Sequence, residues 1–250
     1  MAKIGRKRLE ERLRSADEEE LGRLLDEHLE ALDVRLARQA FRNPFLTGEM
    51  IEALAASARL VSAYEVRRET AFHPRAPRIL ALRFVPGLYW ADLVRLGADP
   101  RVHPVIRRAA DQRLVERLPG LAVGEKMAIA RSAGPGVVAA LRQDPTPRVI
   151  GALLENPRLT EGLLMPLVAS DAANPRALAV VAASPRWAVR PPIRAALCRN
   201  PATPVANALA LLPMLAKPEL AAVAADPRIA APVRRRADLL GGGRARDRGR

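Results

Sequence analysis

Aromatic residues are scarce: 2 Trp, 2 Tyr and 4 Phe in 250 residues. A core without large rings is built from Ala, Leu and Val, and such side chains suit closely packed helices better than a thick β-sandwich. Cysteine is nearly absent. The single Cys198 excludes a disulfide within the chain and a cysteine-rich zinc or iron–sulfur site. It ends the apolar stretch "IRAALCRNP" and reads as a small buried hydrophobe. Histidine is limited to His28, His73 and His103. None stands in an HExxH pair or beside another candidate ligand, so no metal and no cofactor is expected. No GxSxG or GxxxxGK[ST] motif occurs, and the "GGG" at 241–243 follows no strand, which argues against a phosphate cradle. Long apolar runs are missing: stretches such as "ALALL" at 208–212 are soon broken by proline. The start, "MAKIGRKRLEERLRSADEEE", is charged and has no apolar segment of a secretory signal, so the expected location is the cytoplasm.

Charge is abundant, and of one kind. The net charge is +14, and Lys3, Lys7, Lys126 and Lys217 are the only lysines, which leaves 37 of the 41 basic residues as arginine. Two readings stand. A GC-rich genome inflates both Arg and Ala; a surface built for anions uses the guanidinium fork to bind phosphate or carboxylate bidentately. Residues 1–42 are neutral, with 10 basic and 10 acidic residues, whereas 156–240 carries 11 basic against 5 acidic. The end of the chain, 241–250, is Gly/Arg-rich and too polar to pack, so it is expected to be a disordered basic tail.

Proline is plentiful, 22 residues, and scattered, which reads as punctuation between short elements. Within 1–42, Ser15 with Glu18 predicts a capping box, followed by Leu21, Leu24, Leu25 and Leu29 at helical spacing. A second helix, "DVRLARQAF", follows, and 1–42 is expected as an amphipathic N-terminal helical segment placed to cap the first repeat. From residue 43 an Asn, Asp, His or Ser before Pro recurs at Asn43, His73, Asp99, Asp144, Asn156, Asn174, Ser184, Asn200 and Asp226. Each dipeptide predicts a helix start, with the polar residue as N-cap and Pro at the first helical position. About sixteen short helices are expected, and no strands.

The chain also repeats itself. Residues 73–111 align with 200–238 without a gap, and 15 of the 39 pairs are identical, among them Asp99-Pro100-Arg101 with Asp226-Pro227-Arg228. Val66-Arg67 matches Ile193-Arg194 at the same offset of 127, and "NPFLT" at 43–47 matches "NPRLT" at 156–160. The organisation read from this is a repeat region, 43–240, made of related blocks 43–115 and 156–240 joined by repeats at 116–155. Helix pairs that cannot bury their apolar faces alone must stack, so the expected fold is all-α, a right-handed α-solenoid of short helical hairpins.

"DPRIAAPVRRRADLL", "SPRWAVRPPIRAAL" and "DPTPRVIGALL" resemble the second half of HEAT-like repeats and the bacterial leucine-rich-repeat-variant type. Asp226, Val233, Arg234 and Ala237 fit that pattern, as do Asp99, Ile106, Arg107 and Ala110. The resemblance implies that Asp99, Arg107, Asp226 and Arg234 tie neighbouring helices together through hydrogen bonds and ion pairs. One enzyme family on this scaffold, the HEAT-like alkylpurine DNA glycosylases, uses an Asp and tryptophans in a basic groove. The nearest counterparts are Asp92 beside Tyr89 and Trp90, and Trp187 among Arg186, Arg190 and Arg194, although Asp92 aligns with Glu219 and so also reads as an ordinary helix-start acid.

The function expected from these readings is a non-enzymatic interaction scaffold that binds another macromolecule, an acidic protein first of all. A nucleic-acid binder is the alternative, and a DNA glycosylase the further one. Candidate contacts for an anionic partner are Arg186, Trp187, Arg190, Arg194, Arg235 and Arg236. The duplicated Arg107 and Arg234 belong to the repeat.

Overall fold

The computed structural model describes residues 5–242. The described residues form eighteen α-helices and four short 3-10 turns, and they divide into two compact units, Met1–Arg117 and Leu118–Arg250. The first unit holds α1 (Arg6–Ser15), α2 (Glu18–His28), α3 (Val34–Phe41), α4 (Gly48–Ala56), α5 (Ala58–Val61), α6 (Tyr64–Phe72), α7 (Arg78–Phe84), α8 (Trp90–Ala98) and α9 (Pro104–Arg117). The second holds α10 (Val123–Ala130), α11 (Pro135–Leu141), α12 (Pro147–Leu154), α13 (Glu161–Val168), α14 (Pro175–Ala182), α15 (Pro191–Arg199), α16 (Val205–Leu211), α17 (Lys217–Ala225) and α18 (Ala231–Leu240).

The helices pack in successive pairs, as in a helical repeat. Within the second unit α10, α12, α14, α16 and α18 contact one another in turn, and so do α11, α13, α15 and α17. Within the first, α1 packs on α3, α3 on α6, and α8 on α9. The apolar spacing read from the sequence is the spacing that is buried. In α4 these are Ile51, Leu54 and Ala55; in α12 they are Val149, Ile150, Leu153 and Leu154. Fully burying one such Leu or Ile stabilises by about 1.5–3 kcal/mol, so short helices with weak intrinsic stability hold through packing.

Helix starts differ from the expectation in two ways. Ser15 is not the cap of α2. It ends α1, its hydroxyl donates to the Glu11 carbonyl, and Asp17 caps α2 by accepting from the Glu20 N–H. Of the nine Pro dipeptides, only Asn174-Pro175 is an N-cap with Pro in the first turn. The others lie one turn earlier, with the helix beginning a few residues on. In all but Ser184 the side chain accepts the backbone N–H two residues ahead, as Asn43 does from Phe45, Asp99 from Arg101 and Asn200 from Ala202. This is an Asx-type turn, with Pro fixing φ at its second position. Asn, Asp and Pro signal a turn and a cap with the same chemistry, and local sequence does not separate the two.

The choice between Asn and Asp follows from what lies behind the turn. Asn43, Asn156 and Asn200 are buried, and each amide reaches back to two carbonyls at the end of an earlier helix: Leu13 and Ala16, Ala130 and Ala133, Val168 and Ser170, all at 2.7–3.1 Å. Those carbonyls have no partner in their own helix, and only an amide, not a carboxylate, can donate to them. Arginines do the same: Arg75 bonds the Pro44 and Leu46 carbonyls, Arg117 that of Leu88, and Arg158 that of Ser132. Much of the arginine therefore stitches one hairpin to the one before it.

Candidate interaction surface and a buried polar cluster

The basic candidates of the second unit fall into two groups. Trp187 is fully buried, and its indole N–H donates to the Leu154 carbonyl at 3.0 Å, so the ring offers no face to a partner. Both Arg186 and Arg190 place their guanidinium carbon 4.9 Å from the centre of that ring. Arg186 also donates to the Leu154 and Asn156 carbonyls at 3.3 Å, and Arg190 pairs with Glu161 at 2.6 Å. Arg194 donates to the Val189 carbonyl, and its Nε is buried without a hydrogen-bond partner. Arg186, which is exposed, and the part-exposed Arg190 thus cover the buried tryptophan from the solvent side, ahead of α15. Arg235 and Arg236, on α18, are different: both are exposed and make no hydrogen bond or ion pair with any described residue. Arg244, Arg246, Arg248 and Arg250 lie outside the described residues.

Asp99 and Asp226 bond within their own turns. Each carboxylate accepts from the backbone N–H and the guanidinium of the arginine two residues on, Arg101 or Arg228. Those bonds, with a weaker contribution from the charges of Arg107 and Arg234, hold both carboxyls below their ordinary range. The tight turn folds the second residue back over the first, so these carboxylate bonds close the turn itself rather than reach a neighbouring helix. Arg107 and Arg234 each keep Nε buried with no hydrogen-bond partner. The tie to a neighbouring hairpin is made by Arg228 itself, which also pairs with Asp171 at 2.7 Å.

A cluster that sequence spacing did not reveal surrounds Asp92. This residue is buried in the first turn of α8. One carboxylate oxygen accepts from the Tyr64 hydroxyl at 2.6 Å, the other from Arg68 Nε at 2.9 Å, and Arg95 stands 3.7 Å away. The Tyr64 oxygen in turn accepts the Tyr89 N–H at 3.0 Å, and the rings of Tyr64 and Tyr89 lie 4.3 Å apart. Burial first, and then the bond to Asp92, push the Tyr64 phenol up to about 12, so it remains a donor throughout the neutral range. For Asp92, burial opposes ionisation but is outweighed by Tyr64 and Arg68, and its carboxyl lies below the ordinary value. Asp92 is therefore not the ordinary helix-start acid its alignment with Glu219 implied. Glu219 accepts its own helix's Ala216 N–H, as Glu125 does that of Ala122, while Asp92 clasps α8 to α6. A signal was present in the alignment: Tyr64, Arg68 and Tyr89 stand where the second copy has Pro191, Ala195 and Ala216.

Chemically, the cluster is a clasp: each Asp92 oxygen is engaged by a hydrogen bond from α6, and Trp90 precedes it by two residues in α8. Cys198 is buried and its thiol is pushed up to about 12 by that burial, far from the thiolate a nucleophile needs. Among the described residues, no group of three His, Cys, Asp or Glu is placed to hold a metal ion, and no helix is long and apolar enough to cross a membrane. The chain matches no family model, and no curated protein and no solved structure is significantly similar to it.

Proposed function

We propose that the chain is a non-enzymatic interaction scaffold of the cytoplasm, a HEAT-like α-solenoid whose exposed helix faces bind an acidic protein. The observation that carries this reading is the company kept by the exposed arginines. Arg235 and Arg236 lie one turn from Leu239, which is 70% exposed, and Arg78 and Arg83 flank Ile79, which is 86% exposed. Cations interleaved with exposed apolar side chains suit a protein segment that carries both carboxylates and an apolar stripe. A phosphate backbone is better served by an unbroken row of cations. The engagement of Arg186 and Arg190 by Trp187, backbone carbonyls and Glu161, and of both Asp92 oxygens by Tyr64 and Arg68, also favours a scaffold over a nucleic-acid binder and over a glycosylase.

The test is an anisotropy titration of the whole chain against two labelled probes, an acidic peptide of Leu-Glu-Glu-Leu-Glu-Glu-Glu heptads and a short DNA duplex. Both are run at about 50 mM and about 200 mM salt, a range over which phosphate contacts lose affinity steeply. Tighter binding of the peptide at both concentrations supports the proposal. Tighter binding of the duplex, with a steep salt slope, overturns it in favour of a nucleic-acid binder.

A further inference from the structure

The face of α7 turned away from the core has a composition the repeat does not explain. Ala81 and Phe84 point inward and are buried, and their counterparts in the second copy, Ala208 and Leu211, are buried as well. The inward positions are what packing needs. The outward positions differ. Arg78, Ile79 and Arg83 stand where the second copy has Val205, Ala206 and Ala210. An isoleucine exposed to 86% on a helix gains nothing from burial, and as a β-branched residue it is a poorer helix former than the alanine of the other copy. Neither Arg78 nor Arg83 forms an ion pair with a described residue; Arg83 rests 5.8 Å from the Phe84 ring centre.

These residues border a groove of about 760 Å³ between α4 and α7, floored by Ala55, Ala56, Pro77 and Leu80. Its volume is that of a site for side chains, not for a folded domain. Ile79 and Arg83 lie one turn apart on the same strip of α7, so cation and apolar surface present a single edge. On the opposite wall stands Glu52, exposed and unpaired among the described residues. The groove is thus apolar along its floor, positive on the α7 side and negative on the α4 side. A carboxylate-bearing segment is attracted to one wall and repelled from the other, which fixes its orientation.

We infer that the groove between α4 and α7 is a docking site for an acidic amphipathic helix of a partner protein, its apolar stripe on Ile79 and Leu80 and its carboxylates on Arg78 and Arg83. This is the helix-in-groove mode, read through anchors one turn apart. The inference rests on the interaction-scaffold reading and names a site for it. A nucleic-acid strand fits less well, because a phosphate track here meets Ile79 and Glu52.

The experiment uses the whole chain and the same heptad peptide, with a poly-glutamate peptide of equal length as the purely electrostatic control. The expected result is tighter binding of the heptad peptide than of poly-glutamate. Binding falls by at least about tenfold in the double variant Arg78→Glu/Arg83→Glu and several-fold in Ile79→Ser, both measured against an unchanged thermal midpoint. The double variant Arg148→Glu/Arg176→Glu, at exposed positions of the second unit, is expected to leave it unchanged. Should a charge reversal lower the midpoint, Arg78→Ala/Arg83→Ala takes its place. If the peptide binds equally well to the α7 variants, or loses affinity only on reversal of Arg235 and Arg236, the docking site is wrong while the scaffold reading stands. If neither acidic peptide binds the wild-type chain, both readings fall. Sedimentation of each variant gives the remaining outcome: self-association abolished by the α7 changes assigns the groove to a second copy of the chain and overturns the inference.

Discussion

The two copies of the repeat, 73–111 and 200–238, differ most in how each is joined to the hairpin before it. The second copy opens on Asn200, a buried amide that donates to the Val168 and Ser170 carbonyls at 2.8 Å each. The first opens on His73, whose Nδ1 accepts the Arg75 N–H and closes only its own turn. There the tie back is made by Arg75, which donates to the Pro44 and Leu46 carbonyls, and the first copy adds Asp92, which binds Tyr64 and Arg68 of α6; the second copy's Glu219 merely caps its own helix. The second copy has a neutral staple from its opening turn to the end of α13, and the first has a charged clasp between α6 and α8 that α15 and α17 lack. Residues that recur serve turns and core. Residues that do not recur show where each copy has been fitted to its surroundings.

That contrast can be broken from either side. The largest effect is expected for Asn200→Ala, which strands the Val168 carbonyl and the Ala202 N–H, leaves the Ser170 carbonyl only the Ala173 N–H, and should cost about 3 kcal/mol. The aligned change, His73→Ala, removes a single turn hydrogen bond and should cost under about 1 kcal/mol. Urea unfolding of the two variants, read as a shift in midpoint, compares them directly; equal losses would remove the distinction between staple and turn.

Next comes Asp92→Ala, expected to cost about 2 kcal/mol, because Arg68 and Tyr64 lose their partner in a half-buried site and recover only part of the loss from water. Glu219→Ala should cost only about 0.5 kcal/mol. The Asp92 effect depends on pH. Its carboxyl lies below the ordinary value of 3.8, so its contribution is fully present above that pH. It is lost as the pH falls through the folded value, where the ionised clasp takes up a proton. The gap between wild type and Asp92→Ala should stay constant from pH 7 to about pH 4.5 and close in stronger acid; a gap that widened in acid would contradict the clasp.

The smallest effect concerns a glycine. In α8 a Cβ on Gly97 would meet the Asp111 carboxylate at 2.4 Å, while the aligned position in α17 is Ala224. Gly97→Ala gains about 1 kcal/mol of helix propensity and spends it on turning the Asp111 side chain aside, for a net change within about 1 kcal/mol. Ala224→Gly has no such compensation and should lose up to about 1 kcal/mol. Thermal midpoints of the pair report whether Gly97 is there to admit Asp111.

Some of this was legible in the sequence because its causes are local. Leu and Ala at spacings of three and four produced the helices. A polar residue before Pro marks nine of the turns, though only at Asn174 is it the cap; elsewhere the helix begins a few residues later. The gapless alignment of 73–111 with 200–238 located the repeat. Arg236 falls on a position that does not recur, whereas Arg235 repeats Arg108; both are exposed. Trp187 was misplaced as a contact: a rare aromatic among arginines reads as a binding patch, yet in the fold the arginines serve the ring and its neighbouring carbonyls.

By itself, then, the chain determined its helices, turns and repeat, because hydrophobic spacing and turn chemistry act within a few residues. The tertiary structure alone decided which polar groups meet. Asn156 finds carbonyls 23 and 26 residues back, Asp92 finds Tyr64 across 28, and Trp187 finds Leu154 across 33. Such pairings depend on how one hairpin is set against the next, and no spacing within a single helix encodes it.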